Sequence, residues 1–322
     1  MADKQSTKQV NFRNILFATD FSTAANLAMP VAAGLAKSFH GKLYVLHVHE
    51  PVNYALPPEA SQVDRTTREM EAQCLRDVVN RDFPGVTPEI LEGEGLVLPT
   101  ILAEARIHDI DLIVVGTRGR GGLGRALLGS TAEELIRRAA CPVLTVGPQT
   151  DSRLDGFKEI KSSLYATDFG AASVAALPFV LSLAQEHGSK LTLLHVSGDR
   201  SADSSCRIEA CGDTSECRLR ELIPASVTLR CPVDYVVAQG VPADKILEMA
   251  SRVNADLIVM GTHEPKGMPG AATHSSTPTI HKVVGKAGCP VLTCRSRSES
   301  ERTKGVPREK FKMILSSVAA GE

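Results

Sequence analysis

A long internal repeat constrains this chain more than any other feature. LFATDFSTAA, beginning at Leu16, returns as LYATDFGAAS beginning at Leu164, 148 residues on. KLYVLHV at Lys42 returns as KLTLLHV at Lys190, and CPVLTV at Cys141 as CPVLTC at Cys289, with the same offset. DLIVVGT at Asp111 returns as DLIVMGT at Asp256 with an offset of 145. Four matches in one order mark a duplication, and so long a period means two whole domains, not a solenoid of short units. A length of 322 residues suits two domains of ordinary size. The expected division is a first domain over 1–150, a second over 159–297 and a tail over 298–322, with the polar stretch Gln149 to Lys158 as linker. The tail is charged, then apolar at Phe311, Met313, Ile314, Leu315 and Val318, and reads either as a short docking helix or as disordered chain.

Within each copy, strand-like and helix-like patterns alternate. Ile15–Ala18, Leu43–Val48, Leu112–Val115 and Val143–Val146 are continuous aliphatic runs, as strands buried on both faces of a parallel sheet require. Leu27, Val31, Leu35 and Phe39 form one helical stripe, and Leu98, Ile101, Leu102 and Ala105 another. Leu177, Val180, Leu181 and Ala184, then Ile246, Leu247 and Ala250, repeat both stripes. The expected fold is α/β: two tandem Rossmann-like domains, each an open parallel five-stranded sheet with helices on both faces. Such sheets take ligands beyond the carboxyl ends of their strands.

Composition narrows the function classes. Hydrophobic residues at 43% and charged residues at 23% support a globular core, while aromatics at 4% and no Trp make that core aliphatic. A formal net charge of −1 argues against nucleic-acid and membrane-surface binding, which need excess Lys and Arg. The polar start MADKQSTKQVNF holds no apolar leader region, and no apolar run is long enough to span a bilayer. Cys74, Cys141, Cys231, Cys289 and Cys294 sit in or beside apolar segments, as small buried hydrophobes of a reduced, cytoplasmic protein would.

The chemistry lies after the fourth strand, in GTRGRGGLGRALLGSTAEE. Gly116, Gly119 and Gly129 let backbone approach a phosphate chain without Cβ interference. Ser130 opens a helix whose amides and dipole attract anions, and Arg118, Arg120 and Arg125 add positive charge. The plain structural alternative is that Ser130 and Glu133 form a capping box and the arginines are merely solvated. Gly119, Gly121 and Gly124 also spell a Gly-x-Gly-x-x-Gly string, but it follows the fourth strand instead of the first, so it is no dinucleotide fingerprint.

The spacing Gly-x2-Gly-x9-Gly-Ser resembles the ATP-binding signature of the universal stress protein family. Ala-Thr-Asp-Phe-Ser at Ala18–Ser22, Leu-His-Val at Leu46–Val48 and Cys-Pro-Val-Leu at Cys141–Leu144 match its other landmarks. The resemblance implies an adenine nucleotide alpha hydrolase-like fold, ATP as ligand and Mg²⁺ bridging its phosphates. It places Ala18 and Asp20 on the ribose and adenine side, Val48 against the base, and Gly116, Arg118, Gly119, Gly129, Ser130 and Thr131 around the phosphates. It further implies a pseudo-dimer of the two domains through the last strand, a possible homodimer and a regulated protein partner. Asp20 has a plain alternative as the cap of the helix that follows it.

The second copy keeps Asp168, Val196 and Gly261, but Glu264, Pro265, Thr277 and Pro278 stand where the phosphate residues would be. Glutamate repels phosphate and proline removes an amide donor, so weak or absent binding is expected there. Cys206, Cys211 and Cys217, with His187 or His195, are a metal candidate of irregular spacing, otherwise a surface loop or redox-sensitive thiols. His47 and His49 share the strand face opposite Val48. No residue is poised to activate water, so the leading reading is an ATP-binding stress or signalling regulator, with at most slow ATP hydrolysis or autophosphorylation on Ser130 or Thr131. The alternatives are a nucleotidyl-transferring or ATP-hydrolysing enzyme of the same superfamily, and a nucleotide-free interaction scaffold.

Overall fold

The computed structural model describes residues 10, 12–51, 58–83, 85–117, 128–150, 159–198, 214–223, 229, 231–262 and 279–296. The first half runs β1 Asn14–Ala18, α1 Thr23–Ser38, β2 Lys42–His49, α2 Pro58–Asp82, β3 Glu89–Glu94, α3 Val97–Ile107, β4 Leu112–Gly116, α4 Ser130–Arg138 and β5 Val143–Val146. The second repeats it as β6 Ser162–Thr167, α5 Ala171–His187, β7 Lys190–Ser197, α6 Ser215–Glu221, β8 Val233–Gln239, α7 Pro242–Arg252, β9 Leu257–Thr262, α8 Thr279–Lys286 and β10 Val291–Arg295.

The strand order is β3-β2-β1-β4-β5-β10-β9-β6-β7-β8. Each half is a parallel, doubly wound sheet whose winding reverses between its first and fourth strands. The last strand of each half is not a free edge, and the halves meet through it, as the resemblance implies. β5 and β10 pair antiparallel, with Leu144 opposite Leu292, so the two sheets form one ten-stranded sheet. The ladder is reinforced reciprocally: Thr145 Oγ1 donates to Val291 O and Thr293 Oγ1 to Val143 O, both at 3.1 Å. These are equivalent residues 148 apart, so a pseudo-two-fold axis passes through the Leu144–Leu292 pair.

Alternation along the strands sends side chains to two aliphatic layers, each continuous across both halves. Ile15, Phe17, Tyr165 and Leu193 join α1, α2, α5 and α6 on one face. Leu16, Leu46, Leu164 and Ile258 join α3, α4, α7 and α8 on the other. On the axis, a small apolar cavity is lined by Phe12, Leu35, Leu112 and Leu144 and their counterparts Ile160, Leu183, Leu257 and Leu292. The segment before β1 crosses into the second half: Val10 N donates to Ser182 Oγ at 2.9 Å, and Phe12 stacks on Phe179 at 6.0 Å.

The repeated aspartate before the fourth strand has a structural duty. Asp111 Oδ2 accepts from Arg13 N and Asn14 N, both at 3.0 Å, and Asp256 Oδ2 accepts from Lys161 N and Ser162 N. Each ties the start of one strand to its neighbour. The outer strand β3, EILEGE, carries charge instead of an aliphatic run. Arg76–Glu92, Arg68–Glu94 and Lys42–Glu89 ion pairs guard that edge.

Candidate functional site

The ends of β1, β2 and β4 and the start of α4 converge at the first winding reversal. Ala18 ends β1 and lies in register with Leu46 of β2 and Val115 of β4. After it the chain makes a tight turn. Thr19 Oγ1 accepts from Phe21 N and Asp20 Oδ1 from Ser22 N, both at 3.0 Å. Phe21 takes a left-handed backbone at φ 62°, which costs a non-glycine residue roughly 1–2 kcal/mol. Ser22, and not Asp20, caps α1: its Oγ accepts from Ala25 N at 3.2 Å. The carboxylate one turn earlier shapes the loop and is half-exposed at the site. Val48 is buried beside Gly93, where a Cβ would come within 3.2 Å of it.

Gly116 ends β4 against the first turn of α1. A Cβ there would lie 2.6 Å from Ala24 C and 2.7 Å from Ala25 N, so packing requires glycine whether or not phosphate is bound. Gly261 repeats the contact on α5 more tightly, at 2.2 Å from Ser173 N. Arg118 and Gly119 lie outside the described residues, as do Arg120, Gly121, Gly124 and Arg125. The chain reappears at Leu128, and Gly129 N donates to Thr117 O at 2.7 Å. That bond and the extended backbone of Gly129 (φ −65°, ψ 144°) make Gly129 the helix cap. The capping-box reading therefore fails by one residue: Ser130 is the first helical residue, and Glu133 N bonds Gly129 O. Ser130 is exposed and Thr131 half-buried, and the amides of Ser130, Thr131 and Ala132 precede the first intrahelical bond. Thr117 Oγ1, buried beside Gly147, has no hydrogen-bond partner among the described residues.

In the second half, the equivalent turn keeps its geometry, with Phe169 also at φ 62°. Asp168 Oδ1, however, accepts from Ser173 Oγ at 2.7 Å as well as from Gly170 N. The first half has Ala25 at that position, so it lacks the equivalent of this Ser173 hydroxyl contact. Glu264, Pro265, Thr277 and Pro278 lie outside the described residues.

The other candidates do not converge. Cys206 and Cys211 lie outside the described residues, while Cys217 N donates to Thr214 Oγ1, the cap of α6, and His187 packs edge-on against Phe39. His195 Nδ1 bonds Thr167 O at 2.9 Å. Among the described residues, no group of three His, Cys, Asp or Glu could hold a metal ion. None of their helices is long and apolar enough to cross a membrane.

The fold is that of a doubly wound α/β protein whose strand carboxyl ends gather at a winding reversal in each half. A sequence model of the universal stress protein family matches residues 11–147 and again 159–295. A universal stress protein of Mycolicibacterium smegmatis is 28% identical over 297 residues, covering 88% of this chain and 97% of that protein. A shorter one from Thermus aquaticus is 34% identical over 142 residues, covering 42% of this chain and 98% of its own. The crystal structure of a universal stress protein from Archaeoglobus fulgidus superposes with a TM-score of 0.68 at 20% identity, over 89% of this chain and all of that one. The chain belongs to the universal stress protein family, as a tandem member with two copies of the domain.

Proposed function

We propose that the chain is an ATP-binding stress or signalling regulator whose nucleotide sits in the first domain. The observation that carries this reading is the start of α4: an exposed Ser130 on a glycine cap, tied to the end of β4 beside the Thr19–Ser22 turn. Amides without helical acceptors suit a phosphate chain. Gly129, Ser130 and Thr131 hold the phosphates, with Arg118 and Gly119 of the connecting loop. Ala18, Asp20 and Val48 face the nucleoside, and Mg²⁺ enters as counter-ion of the phosphates. The bound nucleotide supplies negative charge that fixes the β4–α4 connection, a state a protein partner can read. Glu264 and Pro278, standing in the sequence where the first copy has Gly119 and Ser130, support a second domain that binds nucleotide poorly.

Nucleotide released from purified, denatured chain is expected at about one ATP per chain, and two per chain would sink the reading of the second domain. Gly129→Ala combined with Ser130→Ala is expected to weaken ATP about 10-fold or more in calorimetry, since a lost hydrogen bond to a charged group is worth about 1.5–3 kcal/mol. Unchanged affinity would move the site elsewhere.

A further inference from the structure

Beneath the Thr19–Ser22 turn lies a chain of titratable side chains that the phosphate site does not use. His47 is buried; its Nδ1 lies 2.8 Å from Thr19 O and its ring packs on Phe21 at 4.4 Å. A carbonyl only accepts, so Nδ1 carries a proton and Nε2 is the ring atom turned towards α2. That atom lies 3.3 Å from Glu71 Oε2, at an angle that makes no hydrogen bond. The same oxygen is 2.8 Å from His49 Nδ1, and His49 Nε2 is 3.2 Å from Asp64 Oδ1. Both nitrogens of His49 face ionised acceptors, an arrangement only the imidazolium satisfies. Asp64 and Glu71, seven residues apart on one face of α2, thus grip a cation on β2.

We infer that His47 is a positioning residue for the Thr19–Ser22 turn, and that α2 holds it in place through Glu71, His49 and Asp64, so that the protonation of His49 sets the order of the turn. The reading of the turn as the nucleoside side of an ATP site rests on the proposed function; the strap itself does not. The second half supplies the contrast. His195 and Phe169 repeat the bond and the ring contact, at 2.9 and 4.5 Å. Ser197 replaces His49 and donates to Ala238 O, and the guanidinium of Arg218 covers the Phe169 ring at 4.1 Å. A permanent cation braces that turn, where a titrating one braces the first.

Among the described residues, the other charges on this face are Glu92 and Glu94 of β3, in register with His47 and His49, and Arg76 and Arg68 of α2, which pair with them. Those arginines stay charged throughout, so the pH dependence is argued from His49 and Glu71. Burial lowers the His49 pKa, but its hydrogen bonds to Glu71 and Asp64 outweigh burial and leave it above the ordinary 6.5. Burial raises Glu71, and the hydrogen bond from His49 together with the nearby His47 outweighs that, leaving it below 4.5. The His49 contribution is complete below about pH 6.5 and is lost as pH rises through its raised value. The Glu71 contribution is complete above about pH 4.5 and is lost as pH falls through its lowered value. The strap is therefore whole in mild acid and opens towards alkaline pH, when His49 turns a lone pair towards a carboxylate.

The test compares full-length wild type, His49→Ser and Glu71→Gln at pH 6 and pH 8.5, with Mg²⁺ as the only divalent cation. Amide exchange at Phe21 and Ser22, corrected for intrinsic rates, reads the turn; calorimetry reads ATP. At pH 6, His49→Ser is expected to speed exchange about 10-fold and weaken ATP about 5-fold. At pH 8.5 the two proteins should converge. Comparing variant with wild type at each pH cancels the titration of ATP itself. Glu71→Gln, whose amide can donate to His47 Nε2, should retain protection at pH 6 and lose the pH dependence. Equal exchange in wild type and His49→Ser at pH 6 overturns the strap whatever ATP does. Pronounced exchange differences without ATP binding uphold the strap and refute the nucleotide reading.

Discussion

Gly261→Ala is expected to cost the second half about 3 kcal/mol or more, and Gly116→Ala the first half about 2 kcal/mol, in the range of overpacked cores. Both β-carbons would run into helix backbone, which cannot rotate away as a side chain can. The order follows from the approaches: 2.2 Å to Ser173 N and 2.3 Å to Ala172 C at Gly261, against 2.6 and 2.7 Å at Gly116. Urea titration read in each half should show lower midpoints with unchanged slope. Midpoints at the wild-type value would mean that the helices do not approach the strands this closely. The retention of Gly261, in a copy whose phosphate residues have changed, has its explanation here. This glycine is kept for helix–strand packing, so Gly116 alone says little about nucleotide.

Leu144→Ala is expected to destabilise the whole chain by about 3 kcal/mol, within the 2–5 kcal/mol typical of a buried Leu truncated to Ala. Leu144 is 2% exposed and faces Leu292 on the pseudo-two-fold axis, beside a cavity already too small to refill. Because the apolar layer runs through both halves, calorimetry should show both melting together at a lower temperature. A first half that melts early while the second keeps its wild-type transition would show that the seam is not a shared core.

Much of this was legible in the sequence, for a physical reason. Strands buried on both faces leave uninterrupted aliphatic runs, and those runs recurred with the same spacing, so the two domains and most strands could be placed from residues alone. Val31, Leu35 and Phe39 are buried as the helical stripe requires, while Leu27 is only half-buried because Ala28 and Ala32 bring α1 close to the sheet. β3 was not legible as a strand, since an edge defended by Glu89, Glu92 and Glu94 shows no aliphatic run. In the site, the glycine–serine motif and Asp20 stood out by spacing. The capping role did not, because the bond from Gly129 to Thr117 shifts the helix start by one residue. The alternation of β2 put His47 and His49 on one face, but their partners Asp64 and Glu71 become neighbours only when α2 docks. The seven-residue interval between those carboxylates was the available signal, and it is indistinguishable from an ordinary solvated helix face.

The antiparallel ladder between β5 and β10 turns an association between copies into an intramolecular event. A short tether holds its two ends at an effective concentration in the millimolar range. The pairing of the halves is then independent of how much protein the cell makes. Equivalent positions can also diverge: Glu133 faces His281 at 3.5 Å, where two identical copies would oppose like with like. Dilution that would separate a two-chain pair of the same affinity should leave this one joined. One half can keep a ligand site while the other is released to do something else.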